Sequence, residues 1–74
     1  MNNSKNAKLI KGFGKKLRQI RIEKHISQEY LADEAGIPVS QIGRIERGEI
    51  NTTISTAYLL ATKLGVTIND MFDF

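Results

Sequence analysis

Apolar side chains recur along the amino-terminal third of the chain at intervals of three or four residues. They are Leu9, Phe13, Leu17 and Ile20. This is the spacing of one helical face, and lysine and arginine take most of the positions between. The pattern predicts a first helix from about Lys8 to Lys24, preceded by a flexible polar arm at residues 1–7. We expect His25 to end this helix in the left-handed conformation.

A second helical pattern starts after Ser27, which has the side chain of a helix N-cap. Its apolar positions are Leu31, Ala32 and Ala35. Gly36 then supplies a left-handed residue that ends a helix, and Pro38 suits the first turn of the next one. The interruption of an otherwise helical stretch therefore predicts two short helices joined by a tight turn.

The third predicted helix, from about Pro38 to Arg47, has two different faces. Ile42 and Ile45 point to one side at 100° per residue. The opposite side carries small, polar and basic residues: Ser40, Gln41, Gly43, Arg44 and Arg47. A helix of this length has no packing need for such a face, so the face is a candidate recognition surface.

The rest of the chain predicts two more helices. Asn51 to Thr53 offers N-cap side chains for a helix from about Thr53 to Leu64, which Gly65 ends. Its expected core positions are Ile54, Ala57, Leu60, Ala61 and Leu64. Residues 67–72 can form a last short helix. The expected fold is a single all-α domain of five helices over residues 8–74.

Charge is divided unevenly between the two ends of the chain. Residues 1–24 carry a net charge of +7 and residues 25–74 a net charge of −4, within an overall +3. A basic segment of this kind suggests a polyanionic partner, although a solvated basic helix face explains the charge equally well.

With no cysteine and one histidine, we expect no disulfide, metal site or cofactor. No segment has the apolar length of a membrane span or a signal peptide, so we expect a cytoplasmic protein.

Residues 28–47 resemble the helix-turn-helix of the phage-repressor and Cro-like (XRE) family, and the resemblance extends over about residues 13–72. The matching positions lie in register along all five predicted helices: Leu17, Arg21, Ser27, Gln28, Glu29, Leu31, Ala32, Gly36, Ile42, Ile45, Glu46, Arg47, Gly48, Leu64, Gly65, Val66, Met71 and Phe72. The resemblance implies a compact lambda-repressor-like fold whose helices 2 and 3 form the helix-turn-helix.

The resemblance also implies roles for individual residues. Those expected to meet base edges in the major groove are Val39, Ser40, Gln41, Gly43 and Arg44. Those expected to contact DNA phosphates are Gln28, Arg47, Thr52, Thr53 and Lys15. Arg21 and Glu46 are expected to form a structural ion pair.

Two departures from the family pattern are informative. Pro38 stands where many members have a capping Ser or Thr, which leaves the third helix without a capping hydroxyl. Leu59 stands on the outward face of the fourth helix, where a charged residue is usual. We expect Leu59, Met71 and Phe74 to form a dimer surface.

The implied function is that of a sequence-specific, double-stranded DNA-binding transcription regulator, a dimeric repressor that reads a two-fold operator. Since the chain stops at Phe74, we expect no attached sensing domain. One alternative is an antitoxin-like or controller member of a two-gene module with a protein partner, and another is a protein-interaction module without base readout.

The motif KGFGKK at residues 11–16 lacks the strand and the Gly-Lys-Ser/Thr ending of a phosphate loop. No set of catalytic residues is present, so we expect no enzymatic activity.

Overall fold

Five helices joined by short turns make up the computed structural model, which describes residues 4–74. They are α1 (Ser4–Glu23), α2 (Gln28–Ala35), α3 (Val39–Glu46), α4 (Ile54–Leu64) and α5 (Ile68–Met71). The all-helical prediction is confirmed. No strand occurs between residues 4 and 74, and no helix in that range is long and apolar enough to cross a membrane.

The first helix begins four residues earlier than predicted. Residues 4–7, which we assigned to a flexible arm, form the first turn of α1, whereas residues 1–3 of that arm lie outside the described part of the chain. The prediction was wrong because it started the helix at the first apolar periodicity. A polar first turn needs no buried side chain, and alanine and lysine at this end favour helix.

Local side-chain chemistry sets most of the other helix ends. Three hydroxyl side chains act as N-caps and accept a hydrogen bond from a backbone N–H three residues on: Ser27, Thr53 and Thr67. Helix ends and turns use left-handed residues, with φ of 69° at Gly36, 73° at Gly65 and 59° at His25. Pro38 is the N-cap of α3 rather than its first helical residue, and no side chain caps this helix.

The core lies where α1, α2, α3 and α4 meet, with α5 closing one end. Its members are the buried apolar residues Phe13, Leu17, Ile20, Leu31, Ala32, Ile42, Ile45, Ala57, Leu60, Ala61, Leu64 and Met71. The predicted core position of Ile54 is wrong, since this residue is 87% exposed, and Leu9 on the apolar face of α1 is half exposed. Both lie near the amino end of their helix. Both line an open groove between α1 and α4, so neither side chain is covered by another helix.

Gly14 marks the closest approach of α1 to α3. A Cβ at this position would overlap the carbonyl oxygen of Ile45 and would lie 2.8 Å from the carbonyl oxygen of Glu46. Both atoms belong to the backbone at the carboxyl end of α3. The absence of a side chain at Gly14 therefore lets the two helices cross in direct backbone contact and fixes where α3 ends.

Candidate nucleic-acid interface

The turn between α2 and α3 orients the candidate recognition helix. Gly36 ends α2 in the left-handed conformation, and the Ile37 N–H donates to the Ala32 carbonyl at 3.0 Å. Nothing lies within 4 Å of a Cβ built on Gly36, so the backbone angle alone requires glycine here. Ile37 packs against the core immediately afterwards. The chain thus reverses direction in three residues and presents α3 across α2.

Helix α3 buries one face and exposes the other, as predicted. Ile42 and Ile45 are almost completely buried. Val39, Ser40 and Arg44 are exposed on the opposite side, and Gln41 is half-buried. Four of the five residues predicted to meet base edges therefore have solvent-accessible side chains on one outward face.

Gly43, the fifth predicted base-reading residue, is buried rather than exposed. A Cβ there would lie 3.0 Å from Nη1 of Arg47, so the Arg47 guanidinium lies over the glycine. The helical spacing from Gly43 to Arg47 brings the two together on one face. Consequently Arg47, not bare backbone, forms this part of the surface.

A buried ion pair holds the carboxyl end of α3. Arg21 of α1 donates from Nε to Glu46 Oε2 at 2.6 Å and from Nη2 to Glu46 Oε1 at 3.0 Å. A third bond runs from Arg21 Nη1 to the Ile26 carbonyl at 2.8 Å. The hydrogen bond with Glu46 raises the pKa of Arg21 above its ordinary value. Side-chain exposure is only 11% for Arg21 and 2% for Glu46, so this pair fixes α3 to α1 from inside the protein.

The predicted phosphate-contacting residues occupy varied environments. Gln28 is half-buried and donates to Glu46 Oε1 at 3.0 Å, so its side chain joins the buried network. Thr53 caps α4, while Thr52 Oγ1 is buried without a hydrogen-bond partner among residues 4–74. Lys15 is exposed on α1. The sequence did not reveal that Thr52 turns its hydroxyl inward.

Glu49 is a charged member of this surface that the sequence analysis did not single out. Its Oε2 accepts a hydrogen bond from Arg47 Nε at 2.7 Å, and its Oε1 lies 4.0 Å from Arg44 Nε. The bond with Arg47 lowers the pKa of Glu49 below its ordinary value. Helical spacing did not reveal Glu49 as part of this surface, because Glu49 lies beyond the end of α3. The turn at Gly48 brings it back to the helix.

The predicted dimer surface is wrong for Met71, which is completely buried. Its side chain enters the core because α5 packs its apolar face against α1 and α4. Leu59 is half-buried and Phe74 is exposed.

An uncharged groove of about 210 Å³ opens elsewhere, between the start of α4 and the first half of α1. We call it the apolar groove; its lining residues are Leu9, Ile10, Phe13, Ile50, Asn51, Thr52, Ile54, Ala57 and Phe72. The rings of Phe13 and Phe72 pack with their centroids 5.1 Å apart on one side of it. This surface combines residues from the chain's two ends, which is why periodicity within single helices did not reveal it.

Comparison with known proteins places this arrangement among recognised folds. Residues 17–71 match the family described as helix-turn-helix. The chain is 41% identical to the control protein C.BamHI of Bacillus amyloliquefaciens over 63 residues, which is 84% of this chain and 78% of that protein. It is 38% identical to the control protein C.SmaI of Serratia marcescens over 52 residues, 70% of this chain and 62% of that protein.

A solved structure shows the same architecture. The restriction-modification controller protein C.AhdI from Aeromonas hydrophila superposes with a TM-score of 0.83 at 36% identity. The match covers 85% of this chain and 96% of that one. The similarity thus includes nearly the whole of that protein and most of this chain.

Proposed function

Because this chain belongs to the helix-turn-helix family of DNA-binding transcription regulators, we propose that it acts as a controller protein, which occupies a two-fold operator and reads it with α3. The controller role, one of the alternatives considered from the sequence, is supported by the similarity to C.BamHI and to the restriction-modification controller C.AhdI. The regulatory effect follows from occupancy of a promoter region by the bound protein.

The observation that carries this proposal is the way α3 is held. Its inward face is fixed by Ile42, Ile45 and the Glu46 ion pair, so its outward face is presented without freedom to rotate. The major groove of B-DNA accepts one α-helix of this diameter. Helix α3 has eight residues, which is long enough to cross the groove. Its first turn and a half would then lie close to the bases.

The exposed side chains of α3 have chemistry that suits base edges. Arg44 can donate two parallel hydrogen bonds to guanine, and Gln41 can pair with adenine. Val39 offers methyl groups to thymine, while Ser40 can donate to or accept from any base edge. We assign direct readout to these four residues and phosphate contacts to the Arg47, Gln28 and Lys15 side of the surface.

The proposed readout predicts a specific defect in Arg44→Ala. The operator would first be selected from a randomised duplex library by the wild-type protein. Fluorescence anisotropy should then show a preference of ~1000-fold or more for the selected duplex over a scrambled one. In Arg44→Ala we expect operator affinity to fall by about 1.5 kcal/mol, roughly tenfold, since one base contact is lost. Binding to the scrambled duplex should change little.

Lys63→Ala provides the control for this experiment. Lys63 is an exposed base in the last turn of α4, so its removal changes the net charge equally without touching α3. Equal losses on both duplexes in Arg44→Ala would assign Arg44 to phosphate and contradict base readout. A wild-type protein that selects no sequence at all would overturn the proposed function.

We further propose that two copies associate through the apolar groove. None of its lining residues is charged, and Ile54 stands at its rim almost fully exposed. A protruding apolar side chain beside an apolar groove on the same face is self-complementary, so a two-fold axis lets each Ile54 enter the other copy's groove. The half-exposed side chains of Leu9 and Phe72 enlarge the surface that this arrangement would bury. A two-fold pair of α3 helices would then match a two-fold operator.

This arrangement predicts that Ile54→Gln weakens dimerisation. Loss of a buried isoleucine costs about 1.5–3 kcal/mol, and each dimer loses two, so we expect the dimer dissociation constant to rise by at least about 100-fold in sedimentation equilibrium. Ile22→Gln is the matched control, since Ile22 is an exposed isoleucine on α1 outside the groove. Equal dissociation constants for the two variants would exclude the apolar groove as the interface.

A further inference from the structure

We propose that Glu49 sets the specificity of DNA binding by restraining Arg44 and Arg47 from indiscriminate contact with phosphates. This inference rests on the proposed function. It assigns to Glu49 the role of weakening binding to random DNA more than binding to the operator. The contact involves one carboxylate and the two exposed arginines nearest the reading face.

The backbone holds Glu49 beside both arginines. Gly48 turns the chain with a φ of 71°, and the Glu49 N–H donates to the Arg44 carbonyl at 2.9 Å. The carboxylate therefore lies against the last turn of α3. It bonds to Arg47 through Nε at 2.7 Å and Nη2 at 3.4 Å, and Arg44 Nε lies 4.0 Å from Oε1.

Stability of the fold does not explain this cluster. The side chains of Arg44, Arg47 and Glu49 are between 49% and 59% exposed, and ion pairs with that exposure contribute little to folding. The fold-stabilising ion pair of the same helix is the buried one between Arg21 and Glu46. Removal of the Glu49 charge should therefore leave the structure intact.

The electrostatic consequence differs between random and operator DNA. On random duplex both arginines can gain only phosphate contacts, and a carboxylate within hydrogen-bond range of Arg47 opposes the approach of each phosphate. On the operator only Arg47 still meets a phosphate, because Arg44 binds a base instead. In the structure the carboxylate lies 4.0 Å from Arg44 Nε and makes no hydrogen bond with the two terminal amino groups, so these groups can form a bidentate pair with guanine. Glu49 thus opposes the nonspecific mode, in which both arginines meet phosphates, more than the specific one.

Glu49→Gln tests this inference, because it keeps the side-chain shape and removes the charge. We expect affinity for a scrambled duplex to rise about fivefold at moderate salt, with the salt dependence steeper by about one released counterion. Affinity for the selected operator should change by less than about twofold, so the specificity ratio falls. Unchanged circular dichroism and melting temperature would confirm that the fold is retained.

Glu34→Gln is the matched control, as Glu34 is an exposed glutamate on α2 and its replacement changes the net charge by the same amount. If both variants gained the same affinity for both duplexes, the effect would come from net charge alone and the inference would be overturned. So would an unchanged specificity ratio in Glu49→Gln, provided the wild type prefers its operator. If the wild type has no preference, the proposed function fails together with this inference.

Discussion

Glu46→Ala should lower the free energy of unfolding by about 3 kcal/mol. The substitution leaves the Arg21 guanidinium with an 11% exposed side chain and no acid partner, and removal of one member of a buried pair costs 3–5 kcal/mol. The lower end applies because Arg21 keeps its bond to the Ile26 carbonyl. A domain of this size has about 4–11 kcal/mol in total. Urea denaturation followed by circular dichroism would measure the loss.

The double substitution Arg21→Met with Glu46→Leu distinguishes an unpaired charge from lost packing. If the cost of Glu46→Ala comes from the stranded guanidinium, the double variant should be more stable than either single one, since no buried charge remains. Gln28 loses an acceptor in both cases, but it is half-buried and can reach water. Additive losses in the double variant would contradict the unpaired-charge explanation.

Gly14→Ala should destabilise the protein by about 2–3 kcal/mol even though alanine favours helix by about 1 kcal/mol over glycine. The new Cβ would overlap the backbone carbonyl of Ile45, and backbone atoms cannot move aside as a side chain can. The helices α1 and α3 must therefore separate. We expect a melting temperature about 10–15 °C lower and weaker operator binding by the protein that remains folded.

Gly12→Ala is the control in the same helix. A Cβ there would overlap the ring of Phe74, which is an exposed side chain at the last residue and can rotate away. The gain in helix propensity should then dominate, so the variant should be as stable as wild type or slightly more stable. Similar losses in both variants would mean that the close crossing at Gly14 does not limit stability.

The sequence predicted the helices well because their signals are local. Capping hydroxyls at Ser27 and Thr53 and the left-handed positions at Gly36 and Gly65 act within four residues of where they stand. Periodicity likewise separated the two faces of α3. These features depend on helix geometry alone, which is the same in any protein.

Features that depend on packing between distant segments were not predictable in the same way. Ile54 has the spacing of a core residue and is nevertheless exposed, because it stands at the rim of the open apolar groove between α1 and α4. The two glycines of KGFGKK looked alike in the sequence, yet one meets the backbone of α3 and the other a terminal phenylalanine. Within the candidate site, the return of Glu49 towards Arg44 likewise follows from the turn at Gly48 and not from helical spacing.

The eight-residue α3 is held by the buried Ile42 and Ile45, by the Glu46 ion pair and by the crossing at Gly14, while no side chain caps its amino end at Pro38. The side chains that hold α3 in the fold are thus different from those that face outward. Substitutions at Val39, Ser40 or Arg44 can change the preferred DNA sequence at almost no thermodynamic penalty to the scaffold. Such a division allows duplicated copies of the gene to diverge in target and to operate side by side in one cell without cross-talk.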